Sequence, residues 1–512
     1  MQEKLGRREF LKGIGTAGTV LAGAGLLAAC APNSSEQQYS LGTAADSSVE
    51  WTDETDILVV GSGFAALAAA IEVKQAGVDV KVIEKMPTLG GNSTINGGDL
   101  AAVGTKLQLE AGVSDSFELM QADMLKAGKN YNHVERVKTV VENSKAAVEW
   151  CESIGVEFTK LNFHGGHSVP RTNTTKNATG SDIVRAQIEK FEELGGEIQT
   201  ETILKSIITN DSGRVIGIAG QKNYDINSGQ GTPIYIKANK AVILATGGFS
   251  NDVQMRQIHE PRLTDALTST NHAGATGEAL REALKLGAMD VHMDWIQLGP
   301  WTSPDEPGFG YTPQFCERLV GHGLMVDPKT GKRFVNETGD RKVRADAMLS
   351  LGYSTLVIGD DVTVQRQVIP RILEGGMAAG VILKFDSLEA LADNFSIPKE
   401  EFLAEVQRWN SFVEKGTDDD FAALIQTGAT PTQTAPYYAA KLWPKVHHTM
   451  GGLVTNLKAQ VLNQNLEPIC GLYAAGEVTG GTHGAVRLGS CAVTDCIVFG
   501  RIAGQEAAKE QA

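Results

Sequence analysis

The stretch Asp56–Glu84 constrains this chain more than any other. Ile57-Leu58-Val59-Val60 is a continuous apolar run, the pattern of a strand buried on both faces. Gly61-Ser62-Gly63-Phe64-Ala65-Ala66 comes next as a G-x-G-x-x-A turn, and an Ala-rich segment then reads as a helix to about Ala76. Gly77 ends that helix, and Val78–Ile83 predicts a second buried strand closing on Glu84. In such a βαβ unit each small residue has a task. Gly61 makes the tight turn, Gly63 lets a pyrophosphate approach the backbone, and Ala66 lets helix and strand pack closely. The helix N-terminus at Phe64 offers free N–H groups and a positive dipole end to phosphates. Glu84 stands where a carboxylate accepts hydrogen bonds from an adenosine ribose. The pattern predicts an α/β chain that binds a dinucleotide.

The residues after Glu84 narrow the choice of dinucleotide. Gly90-Gly91-Asn92-Ser93 and Gly97-Gly98 place too many glycines for an ordinary helix or strand within a few residues. A loop of that kind suits a flavin, whose ring system must be wrapped by backbone. The βαβ unit with G-G-N-S-x-x-x-G-G resembles the FAD-binding half of the fumarate reductase and flavocytochrome c flavoprotein family. The resemblance implies a Rossmann-like FAD domain of the two-dinucleotide-binding-fold type, with an inserted α+β capping or clamp domain. On that basis residues 55–298 form the first part of the FAD domain, 299–446 the clamp and 447–512 the second part. Helices are expected over 115–155, 180–194 and 388–413, a strand pair over 200–217, and a buried strand at 241–249 ending in Gly247-Gly248. Asn271–Glu278 looks like a further flavin-contacting turn.

The C-terminal region carries the most specific resemblance: Val446-His447-His448-Thr449-Met450-Gly451-Gly452, Ala474-Ala475-Gly476-Glu477-Val478-Thr479-Gly480-Gly481 and His483-Gly484-Ala485-Val486-Arg487-Leu488-Gly489. By resemblance, His448 and Arg487 grip the substrate's carboxylate or carbonyl, with Gly98 beside it. Flavin contacts are expected from Phe64, Asn92, Ser93, Gly97, Gly98, Glu278, His447 and Glu477, and from the backbone of Ala492 and Val493 at the pyrimidine edge. An arginine suits the substrate role because its planar fork matches a carboxylate. A helix N-terminus stabilises negative charge on a reduced flavin. Gly331–Arg341 resembles the family's G-x-R-F-x-N-E-x-x-x-R, whose last Arg gives the proton to the substrate carbon. That role falls to Arg341, with Glu317 relaying its proton; a purely structural salt bridge is the plainer alternative.

The departures from the family pattern bear on the substrate. Where its fumarate enzymes carry His-Pro-Thr after Ile-Gln, this chain has Leu298-Gly299-Pro300-Trp301. Val320 stands at the place of a second relay Arg, with Arg318 close by, and Cys316 at that of a substrate-contacting Thr. A roomier, more aromatic pocket and a substrate other than fumarate are expected. The function implied is FAD-dependent reduction of an activated C=C bond in an α,β-unsaturated carboxylate or carbonyl compound. A flavin dehydrogenase acting on a 3-ketosteroid-like compound is the alternative. FAD is expected to be non-covalent, as in the soluble members of the family.

The N-terminus is read as an address rather than as part of the fold. Arg7-Arg8-Glu9-Phe10-Leu11-Lys12 resembles a twin-arginine export signal, and Leu27-Ala28-Ala29-Cys30 a lipobox whose Cys30 is acylated after cleavage. An uncleaved anchor helix is the other reading, and both place the chain outside the cytoplasmic membrane, lipid-anchored or periplasmic. Residues 31–54 read as a flexible linker. The formal charge of −15 argues against a nucleic-acid partner. Among six cysteines there is no zinc-like spacing and no C-x-x-C-H for covalent haem. Cys491 and Cys496 are expected to be packing residues. With no haem motif and no second dinucleotide turn, electrons are expected from a separate donor such as a membrane or multihaem cytochrome.

Overall fold

The computed structural model describes residues 49–511. The export signal, Cys30 and residues 31–48 of the expected linker lie outside the described residues. The linker ends earlier than expected, because Asp53 and Glu54 already belong to the first strand, Asp53–Val60, and pair with Ile236 and Lys237.

That strand lies within an eight-stranded sheet. Its parallel neighbours are Val80–Ile83 on one side and the long strand Gln230–Leu244 on the other. Glu197–Gln199 extends the parallel set at one edge and Pro468–Ala474 at the other. Ile203–Thr209 and Val215–Asp225 add an antiparallel ribbon. Ile57, Val59, Ile243 and Tyr473 face one apolar core, and Leu58, Val242, Leu244 and Leu472 the other. Two buried faces explain why these strands read as continuous apolar runs.

The helix Phe64–Gln75 is apolar from Phe64 to Ile71, and Phe64 to Val73, Glu72 included, are all buried. The sheet, the helix Ser181–Glu193 and the last helix, Cys491–Ala508, enclose it. A Cβ on Gly500 would lie 2.5 Å from Ala65 O, and one on Gly504 2.3 Å from Ala69 O. The two helices therefore meet backbone to backbone. Beside this crossing, Glu72 accepts hydrogen bonds from Arg501 and from Gln505 at 2.9 Å. Cys491 is buried in the same core and Cys496 is half-buried; both are free thiols, so they pack rather than form a disulfide.

The clamp contains an antiparallel five-stranded sheet in the order 332–333, 324–327, 355–360, 437–442, 383–385. One of its faces packs on Trp301, Phe315 and Leu319, the other on Phe402, Val406 and Trp409. Two strands, Ile296–Gly299 and Lys445–Thr449, pair antiparallel where the chain leaves and re-enters the cofactor body. The boundaries placed at 298/299 and 446/447 fall inside this ribbon. Helices occupy 117–127, 134–142, 144–153, 181–193, 388–395 and 399–415, as the periodicity indicated. A small sheet of Asp99–Ala101, Thr172–Thr175 and Phe158–Asn162 was not foreseen.

Gly500→Ala tests the helix crossing. An exposed helix would gain about 1 kcal/mol from this change. Here the methyl meets a backbone carbonyl, and overpacking of that kind costs roughly 1–3 kcal/mol or more. The variant is expected to unfold at lower temperature and denaturant concentration than wild type; equal or greater stability would contradict the crossing.

Candidate active site

The parallel strands set the first part of the site. In open α/β sheets, ligands bind beyond the carboxyl ends of the strands. Here those ends deliver Gly61, Glu84, Ala245-Thr246-Gly247 and Ala475-Gly476-Glu477 to one groove, which Gly63, Phe64, Asn92, Ser93 and Glu278 also line. Gly61 has φ +109°, and a Cβ there would sit 2.4 Å from Ala245 O, so the turn accepts only glycine. Glu84 accepts hydrogen bonds from Ser62 Oγ at 2.6 Å and from Met86 N at 2.9 Å, which aims its carboxylate along the groove. Glu278 pairs with Lys85 at 2.8 Å. The buried Thr246 Oγ has no partner in the protein, as expected where a bound polar group completes it.

A second cavity lies between the cofactor body and the clamp. Arg341 and Glu317 both line it, together with Arg344, Trp301, Phe309, His447, Arg487 and Val493. A smaller pocket joins it to the groove and is lined by Phe64, Asn92, Ser93, His447, His448, Glu477, Arg487, Ala492 and Val493. The residues expected to hold flavin and those expected to hold substrate thus form one connected space. Gly98 is an exception: it lines none of these cavities, and at φ +68° its backbone packs against Thr175 and Thr179. Ala66, fully buried, is likewise a packing residue, and Gly97 borders the substrate cavity rather than the groove.

Arg341 is the first residue of the helix Arg341–Leu351, whose N-cap Asp340 accepts from Val343 N. The motif that precedes it is structural. Arg333 forks between Glu337 and Asp418, all three buried, and so fixes the loop that delivers Arg341. Arg341 Nη1 donates to Gln297 Oε1 at 3.0 Å, and its guanidinium lies 5.3 Å from the Trp301 ring centroid. Gln297 Nε2 donates in turn to Arg487 O at 3.1 Å. One buried glutamine thereby holds the clamp arginine against the segment that carries the other. Glu317 does not bond Arg341; it accepts from Arg344 Nη2 at 3.0 Å, one helical turn further on. The expected Arg341–Glu317 relay is therefore a cluster of Arg341, Glu317 and Arg344 around one cavity wall.

Burial pushes the Arg341 pKa down to about 9, and the charge of Arg487 adds to the effect. The positive end of the helix it begins acts in the same direction. Glu317 is held below its ordinary value: burial opposes this, while Arg344 and Arg341 outweigh it.

The two histidines have different partners. Arg487 Nη2 meets His447 Nε2 at 3.1 Å. A guanidinium only donates, so Nε2 accepts and Nδ1–H donates to Thr270 Oγ1 at 2.8 Å. Burial, with Arg341 and Arg487 nearby, pushes His447 well below its ordinary pKa, which agrees with this neutral tautomer. It is His447 that positions Arg487 in the substrate cavity, with its ring packed on Trp301 at 4.7 Å between centroids. His448 points the other way, with Nδ1 3.3 Å from Glu477 Oε1 on the flavin side. Sequence alone does not separate adjacent residues of a strand, and alternation sends them to opposite faces.

The departures from the fumarate pattern also resolve. A Cβ on Gly299 would lie 2.9 Å from the Trp301 ring. The indole thus occupies the space of the missing side chain, and the extra room expected there does not exist. Cys316 is buried in the clamp core and does not line the cavity, whereas Val320 does. His164 is a cavity residue the sequence reading missed. Its Nδ1 lies 3.1 Å from Ser490 Oγ, and its Nε2 3.7 Å from Asp99. His167 Nε2 bonds Gly489 O at 2.9 Å, so the segment Phe163-His164-Gly165-Gly166-His167 clasps the turn before the last helix. Two histidines flanking a Gly pair were its only signal.

The fold and site define an FAD-dependent oxidoreductase acting on C=C bonds. The chain belongs to the family described as "FAD binding domain", whose model matches residues 56–493. It is 37% identical to the acrylate reductase flavoprotein subunit of Shewanella woodyi, over 98% of each chain. It is 34% identical to the urocanate reductase of Eggerthella lenta, over 89% of this chain and 75% of that one. Among solved structures it resembles the open conformation of a flavocytochrome c3 fumarate reductase, with TM-score 0.73 and 33% identity over 90% of this chain and 79% of that chain. The cofactor is FAD.

The Arg341 pKa gives the site a testable pH dependence. An arginine that donates a proton must be protonated to act, so with Arg341 in that role kcat/KM for reduction is expected to hold up to about pH 8 and to fall above about 9. A profile flat through pH 10 would exclude Arg341 as the titrating acid.

Proposed function

We propose that this chain reduces the C=C bond of an α,β-unsaturated carboxylate other than fumarate, with FAD held non-covalently and Arg341 as the proton donor. The observation that carries this reading is the meeting of Arg341 and Arg487 on one cavity that opens on the flavin groove. FAD supplies hydride chemistry when bound. The chain's own residues do the rest. Arg487, oriented by His447 and with a buried Nε lacking a protein partner, is a ready fork for the substrate carboxylate. Its charge stabilises the enolate-like negative charge that develops there during reduction. Arg341 delivers a proton to the α-carbon, and its depressed pKa brings an unusual acid within range of the task. Glu317 is ionised and paired with Arg344, so its part is to pass on to a spent Arg341 a proton first taken up from solvent. An acid kept protonated at neutral pH favours reduction over the dehydrogenation that a 3-ketosteroid reading requires.

The Gly299–Trp301 stack argues against fumarate, because the indole fills the place where a second polar side chain would meet a second carboxylate on the double bond. The donor in this reading is a separate protein, a membrane quinol-linked or multihaem cytochrome, in keeping with a relative that is itself a flavoprotein subunit. Arg7-Arg8 and Cys30 support export and a lipid anchor outside the cytoplasmic membrane.

Arg341→Lys tests the assignment. Enoate reduction with reduced viologen as donor is expected to fall by roughly 10²–10⁴-fold, the scale of general acid catalysis, while FAD content is unchanged. Near-wild-type turnover would refute the proton-donor role. Gly299→His is expected to displace Trp301 and to confer little fumarate activity. Fast fumarate reduction by the wild type would contradict the substrate reading alone.

A further inference from the structure

The charge of the substrate cavity exceeds what one carboxylate requires. Lys160, Arg318, Arg341, Arg344 and Arg487 line it, against Asp99 and Glu317. The lining histidines His164, His322 and His447 are each held below their ordinary pKa, with burial the first cause, so they add no charge at neutral pH. This cationic surplus sits in a chain of net charge −15. Arg341 and Arg487 serve the reacting end, and Arg344 is matched by Glu317. Lys160 and Arg318 remain.

These two approach from opposite sides of the cleft. Lys160 lies on the strand Phe158–Asn162 of the cofactor body, and Arg318 on the clamp helix Thr312–Leu319. Asn162, two residues from Lys160 and therefore on the same face of its strand, is buried. Its Oδ1 accepts from Arg318 Nη1 at 3.1 Å. The guanidinium is thus held by a neutral acceptor that leaves its charge uncompensated. Among the described residues neither Lys160 nor Arg318 forms an ion pair. Yet they stand close enough that Arg318, after burial, helps lower the Lys160 pKa. Asp99, 3.7 Å from His164 Nε2, acts in the opposite direction but by less, and two like charges so placed favour a further anion between them. The arrangement gains stability once an anion bridges them.

We propose that Lys160 and Arg318 form an anion subsite at the outer end of the cavity, which takes a second, remote anionic group of the substrate and ties the clamp to the body across it. This rests on the enoate reading of the inner end. It deepens that reading by giving the substrate class: an enoate with a carboxylate or similar anionic group on a spacer beyond the double bond. Fumarate, with both carboxylates on the double-bond carbons, has no such spacer.

The test is binding to the oxidised FAD-loaded protein, read as a perturbation of the flavin absorbance, without turnover. Straight-chain saturated dicarboxylates of four to eight carbons are compared with monocarboxylates of equal length. A dicarboxylate longer than succinate is expected to bind about tenfold or more tighter than its monocarboxylate partner, the scale of a hydrogen bond to a charged group. Lys160→Gln and Arg318→Gln are each expected to remove that advantage while leaving FAD content and monocarboxylate affinity within about twofold of wild type. Equal binding of both series would overturn the proposal. So would variants that weaken both series alike, or inorganic phosphate that abolishes the advantage at low millimolar concentration, which marks a free-anion site. Because no turnover is involved, failure here is distinct from failure to reduce any enoate.

Discussion

The cofactor groove hangs on one helix crossing. Gly500 and Gly504 bring the last helix so near to Ala65 and Ala69 that the two backbones touch, hundreds of residues apart in sequence. The first of these helices begins at the dinucleotide turn and the second at Ser490, next to Arg487 and the backbone of Ala492 and Val493. A crossing with larger residues would hold them further apart. The turn and the C-terminal loops would then no longer enclose one groove. Close packing of small residues thus sets the width of the cofactor site, and Glu72 with Arg501 and Gln505 fixes its register.

The chemistry depends on a second junction, which is polar. Gln297, buried on the strand that leaves the cofactor body, bonds the Arg341 side chain and the Arg487 carbonyl at once. Around it His447 orients Arg487, Trp301 backs both His447 and Arg341, and Asp340 starts the helix that presents Arg341. The clamp therefore does more than cover the cavity. It carries Arg341, and its contacts with the body decide where that guanidinium points. The buried triad of Arg333, Glu337 and Asp418 makes the loop before Arg341 rigid, which accounts for most of the Gly331–Arg341 motif.

Much of this was legible in the sequence, for identifiable reasons. The strand Asp53–Val60, its turn and the helix after it are local structures whose spacing is dictated by the ligand they hold. Short-range patterns of Gly, Ala and β-branched residues report them faithfully. The partners of the paired histidines were not legible, because strand alternation and tautomer depend on Arg487 and Glu477, which lie elsewhere in the chain. Gly299 was read as added space, because the return of the Trp301 indole over it is a tertiary event. His164, Gln297 and Arg344 carry no short-range signature, and only the fold brings them to the cavity. Local pattern reveals the cofactor site, whereas the substrate site is assembled from residues whose roles arise on contact.

The central claim is that this cavity reduces a conjugated C=C bond next to a carboxylate. It is tested most directly by reducing the FAD-loaded protein with dithionite under anaerobic conditions and mixing it with a panel of enoates, fumarate, saturated acids and 3-ketosteroids. The account predicts rapid return of the oxidised flavin spectrum with at least one enoate other than fumarate, with the saturated acid as product, and none with saturated acids. Reoxidation by the ketosteroids alone, or by no enoate in the panel, would contradict it.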